Sequence, residues 1–238
     1  MTKLSDLSLL HREELFRVLR IGITHHSNAI EGTTLTYGET KKLLEEGITA
    51  SYKSIDEQLI ILGFAQAYDI VIREANNKDK ILDSSFIKDL HYVIFSNAYK
   101  VMPNFIKKPI GSYRTDNVKI SGTDLKLSTV NKISQDLENL LFRFKSNSMD
   151  LKQIAEFHAL YEKIHPFSDG NGRTGRLIMS FQCIQNNLIP PLIELEKKDR
   201  YLEYLNLLQT KNVLDPFVEF LKHSQEISLS FIPNQTPR

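Results

Sequence analysis

Apolar residues recur along most of the chain at steps of three and four, the period of helices buried on one face. The pattern predicts an all-α fold. Leucines with Phe16 and Val18 trace such a face over 8–20. Thr36-Tyr-Gly-Glu39 is a capping-box pattern, in which hydroxyl and carboxylate each satisfy a backbone N–H, and it opens a short helix toward Gly47. A long amphipathic helix is predicted over 54–76, with Ile55, Leu59, Leu62 and Ile72 on its stripe. Another is capped by Ser84 or Ser85 and ends near Phe95. Helical spacing returns over 128–145, 151–164, 173–187, 198–210 and 215–228, with Pro190-Pro191 breaking the chain between the last groups. Residues 108–127 differ. Val118-Lys119-Ile120 and Leu125-Lys126-Leu127 alternate about Ser121-Gly122, a period of two around a glycine turn, which predicts a short β-hairpin. The chain divides into an N-terminal helical segment over 1–50, a core over 51–228 and a tail over 229–238.

Composition narrows the class without naming the chemistry. With 238 residues, 41% hydrophobic and 25% charged, the chain can bury a sizeable core as a globular protein. A formal net charge of +1 provides no field for nucleic acid or an anionic membrane, so neither is expected as a partner. The single cysteine, Cys183, excludes an internal disulfide and fits a small core residue. No apolar run approaches a membrane span, and Met1-Thr-Lys-Leu-Ser-Asp does not read as a secretion signal. A cytoplasmic location is the expectation.

The chemistry concentrates in His165-Pro-Phe-Ser-Asp169-Gly-Asn-Gly-Arg173-Thr-Gly-Arg176. Gly170 and Gly172 permit backbone conformations that turn N–H groups toward a phosphate. Leu177-Ile178-Met179 marks a helix starting in or after this turn, whose N-terminus and dipole would face the same anion. Arg173 and Arg176 stand three apart on its first turn. Asp169 is a candidate Mg²⁺ ligand, since that ion takes one or two carboxylates and completes its shell with phosphate oxygens and water. His165 is placed to take a proton from an attacking hydroxyl at neutral pH. Together these residues equip a site for a nucleoside triphosphate.

The same residues resemble, without departure, the signature of the Fic family, His-x-Phe-x-Asp/Glu-Gly-Asn-x-Arg-x-x-Arg. The resemblance implies a Fic-type helical bundle with a β-hairpin flap beside the active-site loop. It also implies transfer of AMP from ATP to a Ser, Thr or Tyr hydroxyl of a target protein. In those terms His165 is the general base and Asp169 the Mg²⁺ ligand. Gly170, Asn171 and Gly172 form the anion hole, Arg173 and Arg176 grip the terminal phosphates, and Phe167 anchors the loop in the core. Gly111-Ser-Tyr-Arg114 followed by Asn117 to Gly122 resembles the flap, so Val118, Lys119, Ile120, Ser121 and Gly122 are expected to hold the target by strand addition. Ser27-Asn-Ala-Ile-Glu31-Gly32 resembles the family's inhibitory motif, on a helix over about 20–32. Gly32 would end that helix and leave Glu31 to pair with Arg176. ATP would then bind with its triphosphate misdirected.

Several readings stay open at this level. Tyr201 and Tyr204 either line the adenine or ribose or belong to the core, with Tyr204 the nucleotide-binding candidate. His158 shares a helix face with His165 and reads as a hydrogen-bonded core residue sooner than as a metal ligand. The fold also supports AMP removal and phosphate transfer in relatives. Gly172, where the phosphate-transferring branch resembles a lysine, argues against the second. A non-catalytic nucleotide-binding module is the remaining alternative. Release of Glu31 could come from dissociation of a homodimer, from a partner or from self-modification.

Overall fold

The computed structural model describes residues 2–120, 125–145 and 148–232. Its helices are α1 (Leu9–Ile30), α2 (Tyr37–Glu46), α3 (Ile55–Ala75), α4 (Ser84–Val101), α5 (Ile133–Arg143), α6 (Leu151–Ile164), α7 (Asn171–Gln185), α8 (Lys198–Lys211) and α9 (Asp215–Ser230). The centre is α7. Leu177, Ile178, Met179, Phe181 and Cys183 are all at most 1% exposed, so this helix has no solvent face and must be walled in by others. The walls are α3 and α6, with α1 and α4 also reaching α7, while α8 and α9 close over α6.

The sequence patterning is followed, with informative exceptions. α1 is one unbroken helix that takes in both the 8–20 stretch predicted by spacing and the helix over about 20–32 implied by the resemblance. Leu15, Leu19, Ile23 and Ile30 continue the buried face through it, and at Gly22 the missing Cβ leaves room for Leu192, 3.3 Å from where that atom would lie. The predicted capping box at Thr36 and Glu39 forms, and Gly47 ends α2 in the left-handed conformation. α4 is capped by Asp83, which accepts the Phe86 N–H at 2.7 Å, rather than by Ser84 or Ser85. It runs past Phe95 because Ala98 and Tyr99 still pack into the core.

The predicted hairpin is the main departure. Among the described residues no strand ladder forms in 118–120 or 125–127. The tip, including Ser121 and Gly122, lies outside the described residues. The arms are joined at their base by side chains instead. Arg114 donates to the carbonyls of Asp116 and Ser128, and the Asn117 carbonyl oxygen of the side chain accepts the Val130 N–H at 3.1 Å. Ser128 also donates to Asp136 at 2.6 Å, so the next helix starts at Ile133 and not at 128. Among the described residues no helix is long and apolar enough to cross a membrane.

α3 and α4 make the broadest helix contact in the molecule, and Gly63 permits it. A Cβ at 63 would lie 2.3 Å from the Ile94 carbonyl oxygen and 2.7 Å from that of Val93. Backbone atoms cannot swing aside as a side chain would. Gly63→Ala is therefore expected to lower the unfolding free energy by about 1–3 kcal/mol, the cost of overpacking a close contact. Urea unfolding should show a lower midpoint at an unchanged slope.

Candidate active site

α6 stops at His165, which takes the left-handed conformation (φ 52°, ψ 61°) and still bonds back to the Tyr161 carbonyl at 3.0 Å. His165 lies six residues before α7 begins at Asn171. Its Nδ1 lies 3.2 Å from the Glu162 carbonyl, an acceptor only, so Nδ1 carries the proton and Nε2 is left to accept one. Burial first, then the Arg114 charge, hold this imidazolium below the ordinary histidine range, against the Glu162 carbonyl and the carboxylates of Glu31 and Asp169. The ring is neutral at neutral pH, as a base requires.

The loop beyond is built from inside. Phe167 is fully buried, and the Asn171 side chain pinches it, accepting the Phe167 N–H and donating to its carbonyl, both at 2.8 Å. Asn171 therefore offers only its backbone N–H to an anion. Gly170 caps α7 at φ 76°, and a Cβ there would lie 2.4 Å from the Phe95 ring, so the position demands glycine twice over. Asp169 Oδ1 accepts from the Gly170 N–H at 2.7 Å and from Arg173 at 3.2 Å, with its side chain 40% exposed. Arg173 lies over the Phe95 ring at 4.7 Å, and its Nε is buried without a protein partner. An orphaned guanidinium N–H beside the N–H groups of a helix's first turn is equipment for an anion.

Arg176 points the other way, into α1. Its Nε donates to the Ser27 hydroxyl at 2.8 Å, and Nη2 to the Ser27 carbonyl at 2.9 Å and to Glu31 Oε1 at 2.6 Å. Glu31 is the last residue of α1's turn, and Gly32 (φ 99°) leads the chain away, bonded to the Ala29 carbonyl at 2.9 Å. A Cβ at Gly172 would lie 2.3 Å from Glu31 Oε1. The Glu31 carboxylate thus occupies the space that the missing side chain opens above the α7 N-terminus. Burial alone would raise its pKa, but Arg176 and Arg173 outweigh that and hold it below the usual carboxylate range.

Residues 81–183 match the model of the Fic/DOC family. The chain is a Fic-domain protein. It is 30% identical over 210 residues to a protein adenylyltransferase Fic of Nematostella vectensis and 29% identical over 213 residues to one of Aedes aegypti. These alignments take in 85% and 86% of the chain but only 46% and 40% of those proteins, so the chain spans less than half the length of the relatives it matches. A Fic-domain signalling protein of Bacteroides thetaiotaomicron has the same fold, with a TM-score of 0.83 at 25% identity, covering 95% of this chain and 91% of that one. Residues 134–508 of Fic-1 from C. elegans superpose at 0.81 with 24% identity, covering 95% of this chain and 66% of that one.

Two residues of the Fic site escape a reading of the sequence. His91 of α4 stacks on Phe167 with ring centroids 3.8 Å apart, accepts the Gly111 N–H on Nδ1 at 2.9 Å, and so donates from Nε2 to the Asp169 carbonyl at 3.0 Å. Burial pushes its pKa down to about 4, which keeps it a neutral ring bridging two loops. Arg114 is the other, and donates from Nε to the His165 carbonyl at 2.8 Å. The flap candidates Val118, Lys119 and Ile120 lie outside any helix or strand, the middle one exposed and its neighbours half-buried. Tyr204 is not brought to the loop: its ring turns to Phe220 of α9, 6.0 Å between centroids. Tyr201 is nearer, buried with its hydroxyl 2.7 Å from His158 Nε2 and its ring beneath Arg176. His158 is thus a hydrogen-bonded core residue, its pKa pushed down to about 3 by burial.

Among the described residues no group of three or more His, Cys, Asp or Glu could hold a metal by itself. Asp169 alone, half open and with Oδ2 outside the bonds made by Oδ1, fits a hard dication that a nucleotide's phosphates would share.

The Glu31–Arg176 contact ties stability to pH. A carboxyl depressed in the fold stabilises fully above its unfolded pKa, and the gain is lost as pH falls through the folded value. Glu31→Gln should lower unfolding free energy at pH 7 by about 1–3 kcal/mol, the worth of a charged hydrogen bond. The gap between the two proteins should close as pH drops below the carboxylate range, read by thermal melts from pH 7 to 3.

Proposed function

We propose that this chain transfers AMP from ATP to a Ser, Thr or Tyr hydroxyl of a protein, and that Glu31 restrains the reaction. The observation that carries the reading is His165: a buried neutral imidazole with Nδ1 engaged, on a left-handed turn that leads through Asp169 into the N-terminus of α7. The relatives named protein adenylyltransferase Fic support the same chemistry. The triphosphate lies along the N–H groups of Asn171, Gly172 and Arg173, where the helix dipole and the unpaired Arg173 Nε attract it. The target segment lies along the flap residues 118–122. Its hydroxyl gives its proton to His165 Nε2 as the oxygen attacks the α-phosphorus in line. The bond from the α-phosphorus to the bridging oxygen breaks, and pyrophosphate leaves toward Arg173 and Arg176. Asp169 would hold Mg²⁺, which supplies charge neutralisation between the α- and β-phosphates.

The restraint follows from occupancy. Glu31 Oε1 and a terminal phosphate are both anions that need Arg176 and the space over Gly172. While the carboxylate is there, ATP can enter only in a pose that misaligns the α-phosphorus.

The test is label from α-phosphate-labelled ATP incorporated into protein, with γ-labelled ATP as the control for phosphate transfer. Glu31→Gly should label strongly and the parent weakly. His165→Ala in the Glu31→Gly background should lose about 100- to 10,000-fold in rate while still binding ATP. Equal rates with and without His165, or labelling from the γ position, would overturn the reading.

A further inference from the structure

Arg114 is among the largest side chains fully buried in the molecule, at 2% exposure. Its guanidinium donates from Nε to the His165 carbonyl and from Nη1 to the Asp116 carbonyl, each at 2.8 Å, and from Nη2 to the Ser128 carbonyl. Its backbone N–H donates to Pro166 at 2.9 Å. All these acceptors are neutral, and among the described residues no carboxylate lies within ion-pair distance of it. A charge buried among carbonyls alone is a costly way to join loops. Burial duly pulls even this guanidinium's pKa down.

What the charge and its fork accomplish is positional. His165 is a non-glycine residue in the left-handed region, a conformation that costs about 1–2 kcal/mol and must be held by its surroundings. Arg114 grips the carbonyl of that residue and of the next. The same planar fork gathers the two ends of the segment that carries 118–122. We propose that Arg114 is the positioning residue of the base, fixing the His165 turn and the root of the target-binding segment to one point so that hydroxyl and imidazole keep register. This rests on His165 acting as the base. The groups facing that imidazole are Arg114, the carboxylates of Glu31 from α1 and Asp169 from the loop, and the Glu162 carbonyl of α6. Arg114 is the cation that opposes the two carboxylates and favours the neutral ring.

The test uses the full chain carrying Glu31→Gly, with α-phosphate-labelled ATP and self-incorporation as the rate, alongside an NMR titration of the His165 ring assigned by its absence in His165→Ala. Arg114→Lys keeps the charge but not the fork. Its rate at saturating ATP should fall by roughly 10- to 100-fold, the effect of misplacing a reacting group by about an ångström. Half-saturating ATP and the His165 midpoint should stay put. Arg114→Gln removes the charge as well, so the His165 midpoint should rise and the acid limb of the rate profile move to higher pH with it. A full rate in Arg114→Lys overturns the proposal, and so does an unmoved midpoint in a folded Arg114→Gln. If the latter does not fold, the split between rate and ATP saturation in Arg114→Lys decides. If Glu31→Gly itself transfers no label, the transfer reading fails. The ring titration then judges Arg114 alone, a raised midpoint supporting the positioning role and an unmoved one ending it.

Discussion

Every part of this site hangs on a turn that the backbone would not choose unaided. His165 ends α6 in a left-handed conformation that L-residues with a Cβ avoid, and three side chains, two of them from distant parts of the chain, hold it and the loop after it. Arg114 takes the His165 carbonyl, Asn171 closes a pair of bonds around Phe167, and His91 stacks on Phe167 while taking the Asp169 carbonyl. Beyond the turn, Gly170 caps α7, which starts at Asn171. Because α7 is the helix around which the others pack, the direction of its N-terminus is set by the whole core. His165 and the start of α7 are therefore fixed by one core, which is what the proposed in-line displacement would demand.

On that cradle the triphosphate of the proposed reaction would meet a carboxylate already in place. The Glu31 carboxylate fills the gap left by the missing Gly172 side chain and takes the inner arginine, itself also held by both oxygens of Ser27. Beneath it lies Glu162, whose pKa burial pushes up to about 8, so that Arg176 is shared chiefly with Glu31 at neutral pH. Arg173 by contrast keeps a buried N–H unpaired. The inner arginine is satisfied and the outer one is not, an asymmetry that matches a site restrained by its own chain yet still able to attract phosphate.

How much of this was legible in the sequence depends on how local each device is. The loop from His165 to Arg176 is legible because turn, dipole and charges lie within twelve positions and each has a residue-level reason. The Glu31 contact spans 145 positions, and only the resemblance of its short motif pointed to it. His91 lies 78 positions from the Asp169 it supports, on a helix whose periodicity marks it merely as an inward polar residue. Arg114 carries no sign in sequence that a guanidinium would be buried among carbonyls. The hairpin expectation failed for a related reason: alternation shows which residues face the same way, not whether a second strand comes within bonding distance. For Tyr204, helix spacing gives a face but not the neighbour, which is Phe220.

The continuity of α1 has a kinetic consequence. Glu31 stands at the end of a helix of 22 residues, about 33 Å long, whose Leu15 and Leu19 are wholly enclosed and whose Ser27 and Asn28 are as well buried as any core group. Withdrawing the helix would mean unpacking it along its length, a sub-global opening on the slow end of native motions. The glutamate side chain itself is 29% exposed and followed by a glycine, so it alone can turn away while its post stays in place. Were Glu31 the restraint proposed above, it would be a fast gate on a slow frame: rotation about its side-chain bonds would set how often the cradle is vacant, and the frame how faithfully the carboxylate returns.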